Sequence, residues 1–248
     1  MRTRLRQASS RTQRMRVPAR LRPLLRIIGV RADRRGLTAY AVGGCVRDWL
    51  LGVSTIDLDI VVEGDGVALA QDVAGVLGAR VTTHQQFGTA TIEAKEQRID
   101  FASARRETYA KPAAYPRVSA GTLEDDLRRR DFTINAMAMA IYPDQFGRLV
   151  DPFHGRQDLR RKLLRVLHPK SFRDDPSRIL RGIRFAQRFE LRWEPTTRRL
   201  LRAAIRAGAL GWLNLGRVRK ELDRMLEEPN PRGCLRQLAT LLDPTPEA

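Results

Sequence analysis

Residues 39–62, AYAVGGCVRDWLLGVSTIDLDIVV, carry an apolar segment into a Gly-Gly pair, restart as a short amphipathic stretch, and run into Asp57-Leu58-Asp59. Side chains alternate across a strand, so in Ile56-Asp57-Leu58-Asp59-Ile60 the two carboxylates share one face and the aliphatic residues share the other. That pattern demands a sheet with one face on a core and the other open to a counter-charge. Like charges so placed repel, and a divalent cation or a cluster of donors relieves them. Mg2+ is the natural candidate at Asp57 and Asp59, because it takes oxygen ligands and shares its shell among carboxylates, waters and phosphates. The plain alternative is a solvated strand edge.

The surroundings of the pair favour the ion. Strand Thr38 to Val42, the turn Gly43-Gly44, a helix over about Cys45 to Leu51 and Gly52 precede the acidic strand, giving the order strand, turn, helix, strand. A glycine pair lets backbone N–H groups approach a phosphate at the start of the following helix. Arg47 can act there as counterion, and Asp48 either caps or orients Arg47. Asp100, in Arg98-Ile99-Asp100-Phe101, alternates in the same manner on a later strand; it is either a third carboxylate of the face or an ordinary half-exposed strand residue. Carboxylate-bound metal ions activate an attacking hydroxyl and stabilise leaving pyrophosphate, which points to nucleotidyl transfer. No Walker lysine, zinc spacing or Ser-His-Asp set competes, and His84, His154 and His168 are isolated in the sequence.

Further along, residues 66–77 form an amphipathic helix, followed by strands over 80–82, 89–94 and 97–102, the last two a hairpin around Lys95-Glu96. Lys111-Pro112-Ala113-Ala114-Tyr115-Pro116 breaks the periodicity, so 105–122 reads as a mobile loop. Helices are expected near 18–35, 122–129, 133–140, 155–161, 171–189, 195–206, 217–227 and 232–241. The outline is a mixed α/β head over 23–150 and an all-helical region over 151–248, preceded by a basic arm over 1–22.

Composition narrows the partner. Lys and Arg number 46 against 28 Asp and Glu in 248 residues, a net charge of +18. A polyanion is the expected partner, with genomic drift toward arginine as a bland contributor. Mean hydropathy is −0.39 and no apolar run reaches membrane-spanning length. Cys45 and Cys234 match no metal spacing and read as reduced core thiols, hence a cytoplasmic location. The arm holds eight arginines and no acid, which fits an organellar targeting segment, an RNA-contacting arm or a disordered extension alike.

Four segments together are specific: Gly43-Gly44-Cys45-Val46-Arg47-Asp48, Asp57-Leu58-Asp59, Arg129-Arg130-Asp131-Phe132-Thr133-Ile134-Asn135-Ala136, and Asp174-Asp175-Pro176-Ser177-Arg178-Ile179-Leu180-Arg181-Gly182-Ile183-Arg184-Phe185. In this order they resemble the class II tRNA nucleotidyltransferase and bacterial poly(A) polymerase family. The resemblance implies a polymerase-β-like nucleotidyltransferase head with a helical neck. Gly43, Gly44, Arg47 and Asp48 would then serve the triphosphate, Asp57 and Asp59 the metals, and Arg130 the sugar or phosphates. Asp175 and Arg178 fall where the family reads the incoming base, and an Asp acceptor beside an Arg donor suits a cytosine or adenine edge. Arg181 and Arg184 follow on the helix within reach of phosphate or ribose, the alternative being a solvated arginine face. Asp131 and Asn135, four residues apart, either fix the nucleotide pocket or cap a helix. Arg105-Arg106-Glu107 stands where the family keeps a basic and acidic element that helps switch nucleotide preference.

Two departures accompany the match. Asp174 stands where the family usually has Glu, and the body and tail helices that grip tRNA in the family are expected to be short or missing. The implied activity is addition of C, A or both to the 3′ end of tRNA from CTP and ATP. Poly(A) synthesis and a non-catalytic RNA-binding or nucleotide-sensing module are the rival readings.

Overall fold

The computed structural model describes residues 14–53, 57–94 and 97–242. Up to residue 103 it runs α1 (Arg22–Arg34), β1 (Thr38–Val42), α2 (Gly44–Leu50), β2 (Asp57–Glu63), α3 (Gly66–Leu77), β3 (Arg80–His84), β4 (Thr89–Ala94) and β5 (Gln97–Ser103). Next come β6 (Arg105–Thr108), β7 (Arg117–Ala120), α4 (Leu123–Arg128), β8 (Ala138–Ala140) and β9 (Leu149–Val150). The remainder holds α5 (Gly155–Arg160), β10 (Leu163–Leu164), α6 (Ser171–Asp174), α7 (Ser177–Arg188), β11 (Arg192–Trp193), α8 (Pro195–Arg206), α9 (Leu215–Leu226) and α10 (Pro231–Leu242). These elements form two compact units that interleave in sequence, one of residues up to 103 with 137–150, the other of 104–136 with 151 onward. No helix among the described residues is long and apolar enough to cross a membrane.

The first unit is a mixed seven-stranded sheet in the order β3-β4-β5-β2-β1-β8-β9, the architecture expected of the head. Only β2 and β5 pair in parallel; the other neighbours are antiparallel. Alternation on β2 buries Leu58, Ile60 and Val62, which join Ile99 and Phe101 of β5 and Leu69, Ala70 and Val73 of α3 in one core. Asp65 caps α3 by accepting from the Ala68 N–H at 2.9 Å. Of the basic arm, residues 1–13 lie outside the described residues, while Val17 and Leu21 are buried in this core. Ile56 and the expected Lys95-Glu96 turn also lie outside them, though Ala94 stands opposite Gln97.

Three expectations are corrected. Residues 133–140 are not a helix: a single 3-10 turn (Thr133–Asn135) is followed by β8, inserted between β1 and β9. A strand buried on both faces shows an unbroken apolar run, which periodicity cannot tell from a short helix. The segment 105–122 is not a loop throughout, because β6 and β7 pair antiparallel from Arg105 opposite Ala120 to Thr108 opposite Arg117. Pro112 and Pro116 sit in the connection, where no ladder N–H is required. Helix 171–189 is broken at Asp175, whose φ of −139° and ψ of 92° reflect the exclusion of α geometry before proline.

The second unit packs Phe132 edge-on against Phe185 and Trp193, and Phe172 also meets Trp193 edge-on.

One glycine of the first unit carries the packing of α1. A Cβ at Gly29 would run into the backbone carbonyl of Ile141, which has no freedom to move without disturbing the sheet. Gly29→Ala should therefore destabilise the protein by about 3 kcal/mol, a value at the severe end for overpacking. Gly75, in the last turn of α3 with open space where a Cβ would stand, provides the control: Gly75→Ala should stabilise by roughly 0.5–1 kcal/mol. Opposite shifts in thermal unfolding temperature are the expected outcome, and equal shifts would remove the close-approach account.

Candidate active site

In the first unit, strand register assembles the acidic face. Parallel pairing sets Asp57 opposite Arg98 and Asp59 opposite Asp100, so the three carboxylates project to the same side of the sheet while Leu58 and Ile99 fill the core behind them. Asp57 and Asp59 are exposed. Asp100 accepts a 2.5 Å hydrogen bond from the Thr91 hydroxyl of β4 and pairs with Arg98 at 3.2 Å. Among the described residues no three carboxylate, histidine or cysteine side chains are already gathered as a metal cage.

The glycine turn leaves the sheet at the same end. Ala41 of β1 lies opposite Ile60, so the chain enters Gly43 beside the Asp57–Asp59 end of β2. Gly43 has φ 74° and ψ −127°, a conformation closed to residues with a Cβ, and its N–H donates to the Met137 carbonyl at 3.0 Å. Its own carbonyl accepts from the Arg47 N–H at 3.1 Å, starting α2. The Arg47 guanidinium folds back toward Gly44, its Nη2 3.6 Å from where a Cβ would stand, and Asp48 accepts from its Nε at 2.9 Å and its Nη2 at 2.8 Å. Of the two readings of Asp48, orienting Arg47 is the one the contacts support. Arg47 is only 6% exposed.

The second unit holds the remaining motif residues, each engaged by a partner. Asp126 of α4, wholly buried, accepts from Arg129 at 2.7 Å and from Arg130 at 2.9 Å. Burial works to raise its pKa, yet the two guanidinium groups outweigh that and hold it below the usual carboxylate range. Arg129 also reaches Glu107 of β6 at 3.0 Å, and Glu107 accepts from Arg105 and from the Tyr109 hydroxyl. Asp126 is absent from the expected site; its signal was the spacing of three and four residues ahead of the arginine pair, which places all three on one helical face.

Asp131 and Asn135 are brought together, the amide donating to Asp131 Oδ1 at 3.0 Å beside the Phe132 N–H at 2.8 Å. No side chain caps the 3-10 turn, so Asp131 serves a buried ion pair: Arg181 of α7 donates to its Oδ2 from Nε at 2.9 Å and Nη2 at 2.6 Å. Desolvation alone would raise the Asp131 pKa, but Arg181 and Asn135 bring it down to about 2. Arg181 also approaches Glu221 of α9 at 3.6 Å. Arg184, instead of lining an open face, is buried with Nη1 on Glu228 at 3.0 Å and its guanidinium 4.7 Å from the Phe185 ring centroid. Arg178 is 4% exposed and donates to Ser171 Oγ and to the Arg129 carbonyl, both at 2.7 Å. Asp175 Oδ1 accepts from the N–H and hydroxyl of Ser177 and from Arg217.

A mixed sheet with register-locked acids beside a glycine turn, accompanied by a helical unit, is the build of a nucleotidyltransferase head and neck. The model of the poly A polymerase head domain matches residues 39–165, and the chain belongs to that family. It is 46% identical over 221 residues to an A-adding tRNA nucleotidyltransferase of Halalkalibacterium halodurans, an alignment covering 88% of this chain and 52% of the relative. Against a CC-adding tRNA nucleotidyltransferase of Deinococcus radiodurans the identity is 41% over 198 residues, covering 79% of this chain and 52% of that protein. Among solved structures it is similar to a CCA-adding enzyme in an apo form, with a TM-score of 0.87, 44% identity, and coverage of 91% and 54% of the two chains. The chain thus spans about half the length of these two relatives, and about a quarter of longer A-adding relatives from Aquifex aeolicus and Geobacter sulfurreducens.

The depressed pKa of Asp131 has a measurable consequence. A carboxylate titrating near 2 in the fold and near 4 when unfolded contributes stability that is full above about pH 4 and is lost as pH falls toward 2, roughly 2 kcal/mol in all. Asp131→Asn should lower the unfolding temperature at pH 7, and the gap between variant and parent should narrow as the pH is taken from 5 to 2. A gap independent of pH would mean that the ion pair with Arg181 is not what holds this carboxylate.

Proposed function

We propose that the chain adds nucleotides to the 3′ end of tRNA without a nucleic-acid template, using ATP, CTP or both. The observation that carries this reading is the β2–β5 register, which gathers Asp57, Asp59 and Asp100 on one open face beside the Gly43–Gly44 turn. The relatives support tRNA as acceptor, and the greater identity to the A-adding one tilts the nucleotide toward ATP. A cytoplasmic location is compatible with substrates of that kind.

The reaction forms a bond from the RNA 3′ oxygen to the α-phosphorus and breaks the bond to the β-phosphate oxygen, so pyrophosphate leaves and the hydroxyl proton is released. Asp57 and Asp59 would hold Mg2+, since hard oxygen donors on an exposed face leave room for waters and phosphates in its shell. When bound, such an ion acidifies the attacking hydroxyl and neutralises charge on the leaving group. Asp100, held by Thr91 and Arg98, stands beside Asp59 and supports the same face. Gly43 and Gly44 let the triphosphate approach backbone N–H groups, and Arg47, steadied by Asp48, supplies positive charge there.

In the second unit we assign Arg130 to sugar or phosphate, with Asp126 fixing its direction. Asp175 would accept from the exocyclic amine of the base and Arg178 would donate to its ring nitrogen. Asp131, Asn135, Arg181 and Arg184 take positioning roles around them, through the contacts of Asp131 with Asn135 and Arg181 and of Arg184 with Glu228.

Purified chain should be incubated with tRNAs ending before C74, before C75 and before A76, with labelled ATP or CTP supplied singly. Extension of a tRNA is expected; extension of an unstructured RNA instead would favour poly(A) synthesis, and binding without extension a non-catalytic module. Asp57→Ala and Asp59→Ala should each lower Mg2+-dependent incorporation at least about a thousandfold, of the order lost when transition-state charge stabilisation is removed. RNA affinity should stay within about twofold, because phosphate contacts supply it. Parent-like incorporation in both variants would end the metal assignment.

A further inference from the structure

Arg217, near the start of α9, makes three attachments with one guanidinium. Nη2 donates to Asp175 Oδ1 at 2.5 Å, Nη1 donates to the Ala113 carbonyl at 3.2 Å, and the group lies over the Tyr115 ring, 6.0 Å from its centroid. Asn214 reinforces the grip: Nδ2 donates to the Tyr115 hydroxyl at 3.4 Å while Oδ1 accepts from the Arg217 N–H at 2.9 Å. Ala113 donates its own N–H to the Arg173 carbonyl at 3.1 Å. The connection between β6 and β7 is therefore fastened to α6, to α9 and, through Arg217, to Asp175.

Those fastenings are polar. Tyr115 is 77% exposed and Leu215, beside Arg217 on α9, is 86% exposed, so little apolar burial secures this connection. A segment held by so few hydrogen bonds opens more readily than the core around it. Meanwhile Asp175 Oδ1 receives three donors, the Ser177 N–H at 3.0 Å, the Ser177 hydroxyl at 2.5 Å and Arg217, whereas Oδ2 accepts none among the described residues. Ser177 is a neighbour two residues away and only tethers the carboxylate to the start of α7. Arg217, anchored on its far side by Ala113, stops the carboxylate from rocking.

We infer that Arg217 is a positioning residue for nucleotide choice: it fixes the Asp175 carboxylate so that Oδ2 alone faces the base, and it ties that orientation to the 109–116 connection. The inference rests on Asp175 reading the base, as proposed above. Arg217 itself touches no part of the nucleotide in this scheme; its effect passes through Asp175.

The test is equilibrium binding of ATP, CTP, GTP and UTP, with inorganic tripolyphosphate as a base-free probe, to the 248-residue chain and to Arg217→Met, Arg217→Lys and Asp175→Asn. Arg217→Met should shrink the ratio of tightest to weakest nucleotide about tenfold, the scale of one good base-edge contact, with tripolyphosphate binding unchanged. Arg217→Lys keeps the charge but not the forked grip and should fall between. If Asp175→Asn collapses the ratio while Arg217→Met leaves it intact, Arg217 has no such role and the reading of Asp175 survives. Unchanged ratios in both variants overturn that reading and the inference with it. A uniform loss across all five ligands in Arg217→Met overturns the inference by showing a merely structural role. Should the Met variant not fold, the Lys variant decides, and a parent-like ratio there also overturns it.

Discussion

Repulsion between carboxylates on one face of a strand is the constraint around which the first unit is built. Side chains two apart on a strand lie roughly 7 Å from each other, where like charges cost about 0.6 kcal/mol in water but about 2.4 kcal/mol at an effective dielectric of 20. Exposure of Asp57 and Asp59 keeps that cost at the lower end, and the buried Leu58 between them anchors the strand without moving the charges inward. Adding Asp100 opposite Asp59 would worsen the repulsion, and here Arg98 and the Thr91 hydroxyl offset it from the protein side. A face of this kind is tolerable without a bound ion and would gain from a cation.

The arginines divide into two populations. The net charge of +18 draws polyanions from a distance, and this long-range attraction needs no particular geometry. Arginines within the motifs behave otherwise: Arg130 is held by Asp126, Arg181 by Asp131, Arg184 by Glu228, and Arg178 by two neutral acceptors. Buried pairs of this sort add little net stability against an apolar replacement, because desolvation cancels most of the attraction. What they supply is fixed direction, and removing one partner is costly since it strands the other. The second unit therefore surrounds its aromatic centre with a charged lattice whose members cannot be exchanged singly.

Legibility in the sequence followed the range of the interaction. Local patterns showed β1, α2, β2 and α3 because alternation, a glycine pair and helical amphipathicity act within a few residues. The motif residues were recognisable as a set only through their resemblance, in order, to a known family. What escaped depended on distant partners: β8 reads as a helix until it is placed between β1 and β9, and β7 shows no alternation because all four of its residues are exposed. Glu221 and Glu228 look like solvated helix charges until α7 brings Arg181 and Arg184 to them. Arg217 was invisible likewise, since its partners lie 42 and 104 residues away.

Under the proposed reading, base choice without a template needs donors and acceptors that do not turn. Cytosine and adenine each present an exocyclic amine beside a bare ring nitrogen, whereas guanine and uracil present a carbonyl beside a ring N–H. A fixed acceptor at Asp175 and a fixed donor at Arg178 therefore separate C and A from G and U by hydrogen-bond polarity alone. They cannot separate C from A, which differ in size and not in this pattern. Both anchors of Arg178, Ser171 and the Arg129 carbonyl, are protein groups that do not depend on the nucleotide. The Asp175 side includes an attachment that can open, through Arg217 and the 109–116 connection, so that side offers one place at which a preference between a purine and a pyrimidine can be set.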